Sequence, residues 1–325
     1  MQELSPVLTG QTDTAARIIR EGGVVAFPTE TVYGLGADAL NPVAVARIFA
    51  LKERPSFDPL IVHIASLEDL SRLTVNLPSQ ALQLAEKFWP GPLTLVLPKS
   101  NLVPDIVTSG LPTVGIRMPD NDIALEMIRK AGCPVAAPSA NKFGQLSPTH
   151  ARHVKKQIPD ADFILEGGTT TVGIESTIVS LDENLCTILR HGKITSEDIR
   201  KAIPGMEVID TPAHHRMVAP GLMKSHYSPQ KPLHILNETT KELPDQSGLI
   251  LHHFSPEVLR AEKTIYTSSN RNLLEVAANL FSALHQMEDD PSIKQIFIEP
   301  VEESGIGKAI MDRLKKASYR YQSKP

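Results

Sequence analysis

Apolar residues in the first two thirds of the chain fall into short runs separated by stretches with helical spacing. Gly23-Val24-Val25-Ala26-Phe27 is continuous and β-branched, and predicts a buried strand. A helix is predicted from Asn41, with Asn as N-cap, Pro42 at the first helical position, and Val45, Ile48 and Phe49 on one face. Residues 60–64 predict a strand, and 67–73 and 79–88 predict helices. Residues 94–97, 114–118, 134–137, 163–165, 177–181 and 187–189 predict further strands, before a closing helix over 195–203. This is an α/β domain over residues 1–205. Its later strands follow one another with few helices between them, which points to a mixed rather than a purely parallel sheet.

The pattern breaks over 206–229, a segment with prolines, three histidines and Gly221 and little periodicity. It reads as a linker with a task of its own. Alternation then returns. Strands are predicted at 233–236, 249–251, 264–266 and 296–298, with helices over 272–287 and 306–317. Residues 230–325 are therefore expected to form a small, three-layer, doubly wound (Rossmann-like) α/β domain.

Composition narrows the function. With 325 residues, 41% of them hydrophobic, two domains can each bury a core. The net charge of −4 argues against a bulk nucleic-acid binder, but leaves room for a local cationic cleft. Two cysteines, Cys133 and Cys186, make no disulfide framework and suit a reducing compartment. The first residues lack a basic region followed by an apolar run, and no stretch reaches membrane-span length. A cytoplasmic protein is expected.

Four segments carry candidate chemistry. Pro28 to Gly36 (PTETVYGLG) places polar residues and two glycines after a buried strand, where α/β sheets bind ligands; the alternative is a loop whose glycines supply positive φ. Lys52-Glu53-Arg54-Pro55, with Asp58 beyond, ends the first helix. Pro55 turns Arg54 out of helical geometry, so both cations can reach a phosphate-rich cavity; the alternative is capping of the helix C-terminus. Ala137-Pro138-Ser139-Ala140-Asn141, with Ser147 further on, ends a strand in small hydroxyl and amide residues. These admit a ligand closely or make local turn bonds. Glu175-Ser176-Thr177 leads into an apolar strand, followed by Leu189-Arg190, where an arginine ends a hydrophobic strand and is costly to bury unpaired; phosphate or carboxylate binding is one solution and a surface salt bridge the alternative. His63 lies inside an apolar strand, where a histidine is ordinarily a satisfied core residue. No Walker pattern, zinc-ligand spacing or nucleophile elbow is present.

Taken together and in order, these segments resemble the YrdC-like threonylcarbamoyl-adenylate synthases of tRNA modification. The resemblance rests on PTETVYGLG at 28–36, KERP at 52–55, PLIVH at 59–63, WPGPLT at 89–94, VGIRMP at 114–119, APSAN at 137–141 and ESTIV at 175–179. HYSP at 226–229 and GIGKAIM at 305–311 resemble the longer, two-domain branch. The resemblance implies a twisted YrdC-type mixed sheet with a concave cationic face. It places L-threonine near Thr31, His63, Arg117, the Ala137 backbone and Ser176. ATP is implied near Lys52, Arg54, Asp58, Thr113, Ser139, Asn141, Ser147 and Arg190, and linker contacts at His226 and Tyr227. Two departures stand out: Asp58 where the family usually has Asn, and Ser225 where it usually has a basic residue.

The implied chemistry adenylates N-carboxythreonine, made from threonine and bicarbonate, with release of pyrophosphate. Both reactants are anionic, so the burden is charge neutralisation and alignment rather than proton transfer. Magnesium is expected with ATP. The implied partners are ATP, L-threonine, bicarbonate and the downstream threonylcarbamoyl-transferase machinery, with a weak contact to double-stranded RNA or tRNA and no membrane. The rival from another class is an RNA- or ribosome-binding module using the same concave face passively. A lid formed by the linker separates the two, because a small-molecule cleft needs closing and an RNA surface does not.

Overall fold

The computed structural model describes residues 6–182, 184–210, 220, 221, 223, 225–254 and 259–321. The first unit runs α1 (Pro6–Arg20), β1 (Val25–Phe27), β2 (Gly34–Asp38), α2 (Pro42–Lys52), β3 (Ile61–His63), α3 (Leu67–Leu73), α4 (Ser79–Phe88), β4 (Leu93–Pro98) and α5 (Asp105–Thr108). It continues through β5 (Thr113–Arg117), α6 (Asp122–Ala131), β6 (Val135–Ala136), α7 (Ala151–Gln157), β7 (Phe163–Ile164), β8 (Thr177–Asp182), β9 (Leu185–Arg190), α8 (Ser196–Ala202) and β10 (Glu207–Asp210). The strands form one sheet in the order β10-β9-β8-β4-β5-β3-β6-β2-β1-β7. Parallel pairs (β3 with β5, β4 with β8) alternate with antiparallel ones (β3 with β6, β8 with β9), so the sheet is mixed as expected.

Local signals explain where the helices begin. Asn41 accepts hydrogen bonds from the Val43 and Ala44 amides at 3.1 and 3.2 Å, with Pro42 inside the first turn; such a cap contributes about 1 kcal/mol. Thr195 and Asp198 form a capping box at the start of α8. Helices α1, α5, α6 and α7 extend the fold beyond the elements expected, although Asn121 and left-handed Gly132 bracket α6 plainly. Strand β10 joins the first sheet from within the segment read as linker.

Residues 34–36, read as loop, form strand β2 instead. Neither Gly34 nor Gly36 takes the left-handed backbone. A Cβ on Gly36 would lie 2.6 Å from both the Phe27 ring and the Val135 side chain. Glycine is required there for close packing of strands, not for a turn.

The second unit comprises β11 (Leu233–Ile235), β12 (Ser247–Leu251), β13 (Lys263–Tyr266), α9 (Leu273–Asp289), β14 (Gln295–Ile298) and α10 (Gly307–Ser318). Its four strands are all parallel, in the order β11-β14-β12-β13. Both helices pack on the sheet face that carries Leu233, Ile250, Ile296 and Ile298. The same apolar cluster takes in Val32, Leu146, Val172 and Ile174 of the first unit, so the helical layer joins the two units. Among the described residues no helix is long and apolar enough to cross a membrane.

Candidate active site

The register of β3 and β5 sets His63 beside Arg117, each at the carboxyl end of its strand. The loop after β1 brings Thr29 and Thr31 to this pair, and β9 ends there in Arg190. These side chains line a cleft holding about 520 Å³ of space, together with Arg54, Ala137, Ser139, Glu175, Ser176 and four linker residues, Pro220, Gly221, His226 and Tyr227.

Burial of charge marks the cleft. Among the described residues, the buried lysines and arginines are Lys52, Arg54, Arg117, Arg190 and Arg313, and the buried acids are Glu30, Asp58 and Glu175. All of them lie in or against this one cleft. Burying an ion is expensive, so eight in one place, with cations in excess, point to an anion-binding function.

Each carboxylate is held by one arginine. Glu30 pairs with Arg117 at 3.3 Å, Asp58 with Arg54 at 2.9 Å, and Glu175 with Arg313 at 2.9 Å. On one side Arg117 also donates to Thr31 Oγ1 at 2.9 Å, and Thr31 meets Thr29 Oγ1 at 2.8 Å. Arg117 Nε, Glu30 Oε1 and His63 Nδ1 find no hydrogen-bond partner among the described residues. They are unspent capacity at a buried site. Burial, reinforced by the neighbouring Arg117, pushes the His63 pKa well below its ordinary value, so the ring is neutral.

On the other side the Arg54 guanidinium donates to the Asp58 and Pro59 carbonyls at 3.1 and 2.9 Å. It does not cap α2. The cap is left-handed Glu53, whose amide donates to the Ala50 carbonyl at 3.2 Å while the Arg54 amide donates to the Phe49 carbonyl at 3.0 Å, and Lys142 adds a bond to the Leu51 carbonyl at 3.0 Å. Lys52 Nζ is wholly buried and donates to the carbonyls of Ser139 (2.6 Å) and Asn141. Burial and the adjacent Arg54 lower its pKa well below the usual lysine range. Arg190 donates to Ser176 Oγ at 3.2 Å, to the Ser176 carbonyl at 3.1 Å and to the Pro220 carbonyl at 3.2 Å.

The linker closes over these groups. Gly221 packs so tightly that a Cβ would lie 2.6 Å from Tyr227 Oη and 3.2 Å from Arg190 Nη1, and its φ of +81° suits only glycine. Tyr227 itself sits at φ +60°, held between the His226 amide on the Lys316 carbonyl (3.3 Å) and the Ser228 amide on the Gly144 carbonyl (2.8 Å). His226 is buried beside Phe143, and burial, followed by the charges of Arg54 and Lys52, depresses its pKa well below the ordinary value.

Residues 17–192 match the family described as telomere recombination, which groups Sua5, YciO and YrdC; residues 194–318 match the C-terminal domain family of threonylcarbamoyl-AMP synthase. The chain is 42% identical over 323 residues to the threonylcarbamoyl-AMP synthase of Pyrococcus abyssi, covering 94% of this chain and 93% of that one. The chain belongs to the threonylcarbamoyl-AMP synthase family. The Bacillus subtilis member is 40% identical over 318 residues, covering 94% and 92% of the two chains. The crystal structure of Pyrococcus abyssi Sua5 complexed with L-threonine superposes with a TM-score of 0.88 at 39% identity, covering 98% of this chain and 96% of that one.

The positions that the family resemblance implied are distributed unevenly. Thr31, His63, Arg117, Ala137 and Ser176 line the cleft together, as do Arg54, Ser139, Arg190, His226 and Tyr227. Thr113 lines a smaller hollow of about 270 Å³ that shares Ile61 and Pro220 with the cleft. Lys52, Asp58, Asn141 and Ser147 stand behind the wall, Asp58 against Arg54 in an ion pair. Asn141 donates to the Lys142 and Gln145 carbonyls at 2.8 and 2.9 Å, the local turn bonding that was its alternative role, while its Oδ1 has no partner among the described residues. Ser147 donates to Glu175 at 2.5 Å.

Sequence reasoning passed over Glu30, Glu175 and Arg313. Both glutamates sit inside the motifs, next to residues that were singled out. Arg313 had a signal of its own: it falls on the apolar face of α10, in line with Ala309, Ile310, Leu314 and Ala317, where a charge is out of place.

Proposed function

We propose that this chain joins L-threonine, bicarbonate and ATP into threonylcarbamoyl-AMP and pyrophosphate, as a nucleotidyltransferase supplying threonylcarbamoyl groups for tRNA modification. The observation that carries this reading is the concentration of every described buried charge at one linker-covered cleft, with arginines and a lysine in excess. Bicarbonate and the threonine amine give a carbamate and water. A carbamate oxygen then attacks the α-phosphorus, and the bond from that phosphorus to the β-phosphate bridging oxygen breaks. Each partner is an anion, so bringing them together needs positive charge in a water-poor site. Arg117, with its unpartnered Nε, takes the threonine carboxylate. His63, neutral, takes the threonine hydroxyl through Nδ1. Arg54 and Arg190 take the triphosphate.

Magnesium enters with ATP as its counter-ion. Among the described residues no three His, Cys, Asp or Glu side chains are grouped to hold a metal, and each carboxylate of the cleft is engaged by an arginine. The donors thus favour a metal carried by the phosphates over one held by the protein. Passive RNA binding is disfavoured by the same linker contacts, since they cover the cationic edge that an RNA would have to reach.

The test is pyrophosphate release from ATP, with mass spectrometry of the adenylate formed from labelled bicarbonate. Release should require threonine and bicarbonate together and should place the label in the adenylate. Release that is indifferent to threonine would overturn the proposal.

A further inference from the structure

Arg313 belongs to α10 of the second domain, yet it is wholly buried against the cleft of the first. Its Nε donates to Glu175 Oε2 at 2.9 Å, Nη2 to the Glu175 carbonyl at 3.5 Å, and Nη1 to the His191 carbonyl at 2.6 Å. Its guanidinium lies 5.5 Å from the centre of the Tyr227 ring, and Asp312 sits 3.2 Å away on the outer side. Glu175 immediately precedes Ser176, and His191 immediately follows Arg190. One side chain therefore ties down the backbone next to both members of the Arg190–Ser176 contact.

The same side chain answers a charge problem. Glu175 lines a cleft that must accept anions. Its Oε1 is taken by Ser147 and its Oε2 by Arg313. The positive charges that stabilise the ionised Glu175 are Arg313 first and Arg190 second. Were Arg313 lost, Arg190 would be the remaining cation able to compensate Glu175, and it would be drawn away from Ser176 and from any phosphate. A buried ion does not remain uncompensated when a neighbour can turn to it.

We propose that Arg313 is a positioning residue through which the second domain completes the active site: it holds Glu175 and the His191 carbonyl so that Arg190 stays directed at the anionic substrate. This rests on the function proposed above, with Arg190 as a triphosphate contact.

The experiment compares full-length wild type with Arg313→Met, Glu175→Gln and the double variant, measuring threonine- and bicarbonate-dependent pyrophosphate release over a range of ATP. Arg313→Met should raise KM for ATP about tenfold or more, the scale of one charge-assisted contact, with a smaller change in kcat. The double variant, with no buried carboxylate to attract Arg190, should recover most of that KM. An unchanged KM in Arg313→Met, or a double variant as impaired as the single, overturns the proposal; the second result would make Arg313 a domain fastener only. Circular dichroism monitors folding. If Arg313→Met does not fold, Arg313→Lys decides: lacking the fork to reach both Glu175 and His191, it should raise KM a few-fold, and a wild-type KM overturns the proposal. Wild type that releases no threonine-dependent pyrophosphate would instead sink the proposed function, whatever the variants do.

Discussion

Both sheets place polar residues at the carboxyl ends of their strands, but they treat them differently. At the edge of the second sheet, His252 bonds Thr267 Oγ1 at 2.7 Å through one ring nitrogen and the Glu299 carbonyl at 2.6 Å through the other, while its amide donates to Glu299 Oε2 at 2.7 Å. At the first sheet, His63 Nδ1 and Arg117 Nε have no partner among the described residues and belong to side chains that line the cleft, and Glu30 Oε1, on the acid paired with Arg117, is unpartnered as well. Open parallel α/β sheets commonly bind ligands at that edge, so topology alone would favour the second sheet, whose strands are all parallel. The difference teaches that buried polar capacity left unpaired locates a site better than architecture does. A satisfied network stabilises a fold, whereas an unsatisfied one has been kept for a ligand.

The severest way to break the contrast is to remove the second unit. A chain ending after Asp210 keeps β10 but strips the cover from Val32, Leu146, Val172 and Ile174, and leaves Glu175 without Arg313. Breaking one buried ion pair costs about 3–5 kcal/mol. Synthesis of the adenylate should therefore fall by about 100-fold or more, measured as pyrophosphate release beside a circular-dichroism check of the fold. A truncated chain working at the full-length rate would show that the second unit is accessory.

Acid should act on the buried histidines next. His63 and His226 are held neutral, their pKa values pushed well down by burial. Between the ordinary value near 6.5 and those lowered values, the unfolded chain binds more protons than the folded one. Stability is thus full above about pH 6.5 and is lost as pH falls below it, by roughly 1.4 kcal/mol per pH unit for each such histidine. Urea midpoints at pH 5 and 7.5 read this directly, and His226→Asn should reduce the difference. Equal midpoints would mean that these rings are charged in the fold.

Arg54→Ala tests the cation side of the cleft. Losing a charge-assisted phosphate contact costs about 1.5–3 kcal/mol, so activity should fall roughly tenfold or more while the secondary structure stays intact. A folded and fully active variant would reduce Arg54 to a loop brace for the Asp58 and Pro59 carbonyls.

Much of this was legible in the sequence. Caps and periodicity located α2, α3, α4, α8, α9 and α10 to within a residue or two, because those helices begin at good caps or carry an apolar face. The glycine-rich β2 was not, since its strand state comes from packing under Phe27 and against Val135 rather than from propensity. In the site, Arg190 was legible as a cation ending an apolar strand and Arg54 as one that Pro55 turns out of its helix, whereas Arg117 came only from the family resemblance and His63 read by itself as a core residue. The carboxylate partners were not legible, because pairing across 87 residues (Glu30 with Arg117) or 138 residues (Glu175 with Arg313) is set by tertiary geometry.

The satisfied edge of the second sheet makes an opposite prediction. His252→Ala leaves Thr267 Oγ1 and the Glu299 carbonyl short of a partner and should lower stability by about 1–3 kcal/mol. KM for ATP and for threonine should not change. A shift in either KM would mean that the second edge communicates with the cleft.

The smallest effect is expected at Asp58, where a carboxylate stands beside groups that should bind phosphate. Repulsion would be serious if the charge were exposed to the ligand, but Arg54 lies against it at 2.9 Å. The pair is not a well-formed hydrogen bond, since neither Asp58 oxygen accepts one among the described residues. Burial also pushes the Asp58 pKa up, opposed by Arg54 and Lys52. Meanwhile Arg54 is anchored independently by the backbone carbonyls of Asp58 and Pro59, which survive any substitution at 58. Asp58→Asn keeps shape and volume, removes a poorly solvated negative charge, and leaves Arg54 with more positive charge to offer a phosphate. Exchanging a weakly directed buried pair for a neutral amide is often neutral or mildly favourable. KM for ATP should therefore stay within about threefold of wild type, or fall, a change below roughly 0.7 kcal/mol. A tenfold rise in KM would show instead that the Asp58 carboxylate holds Arg54 in its working orientation.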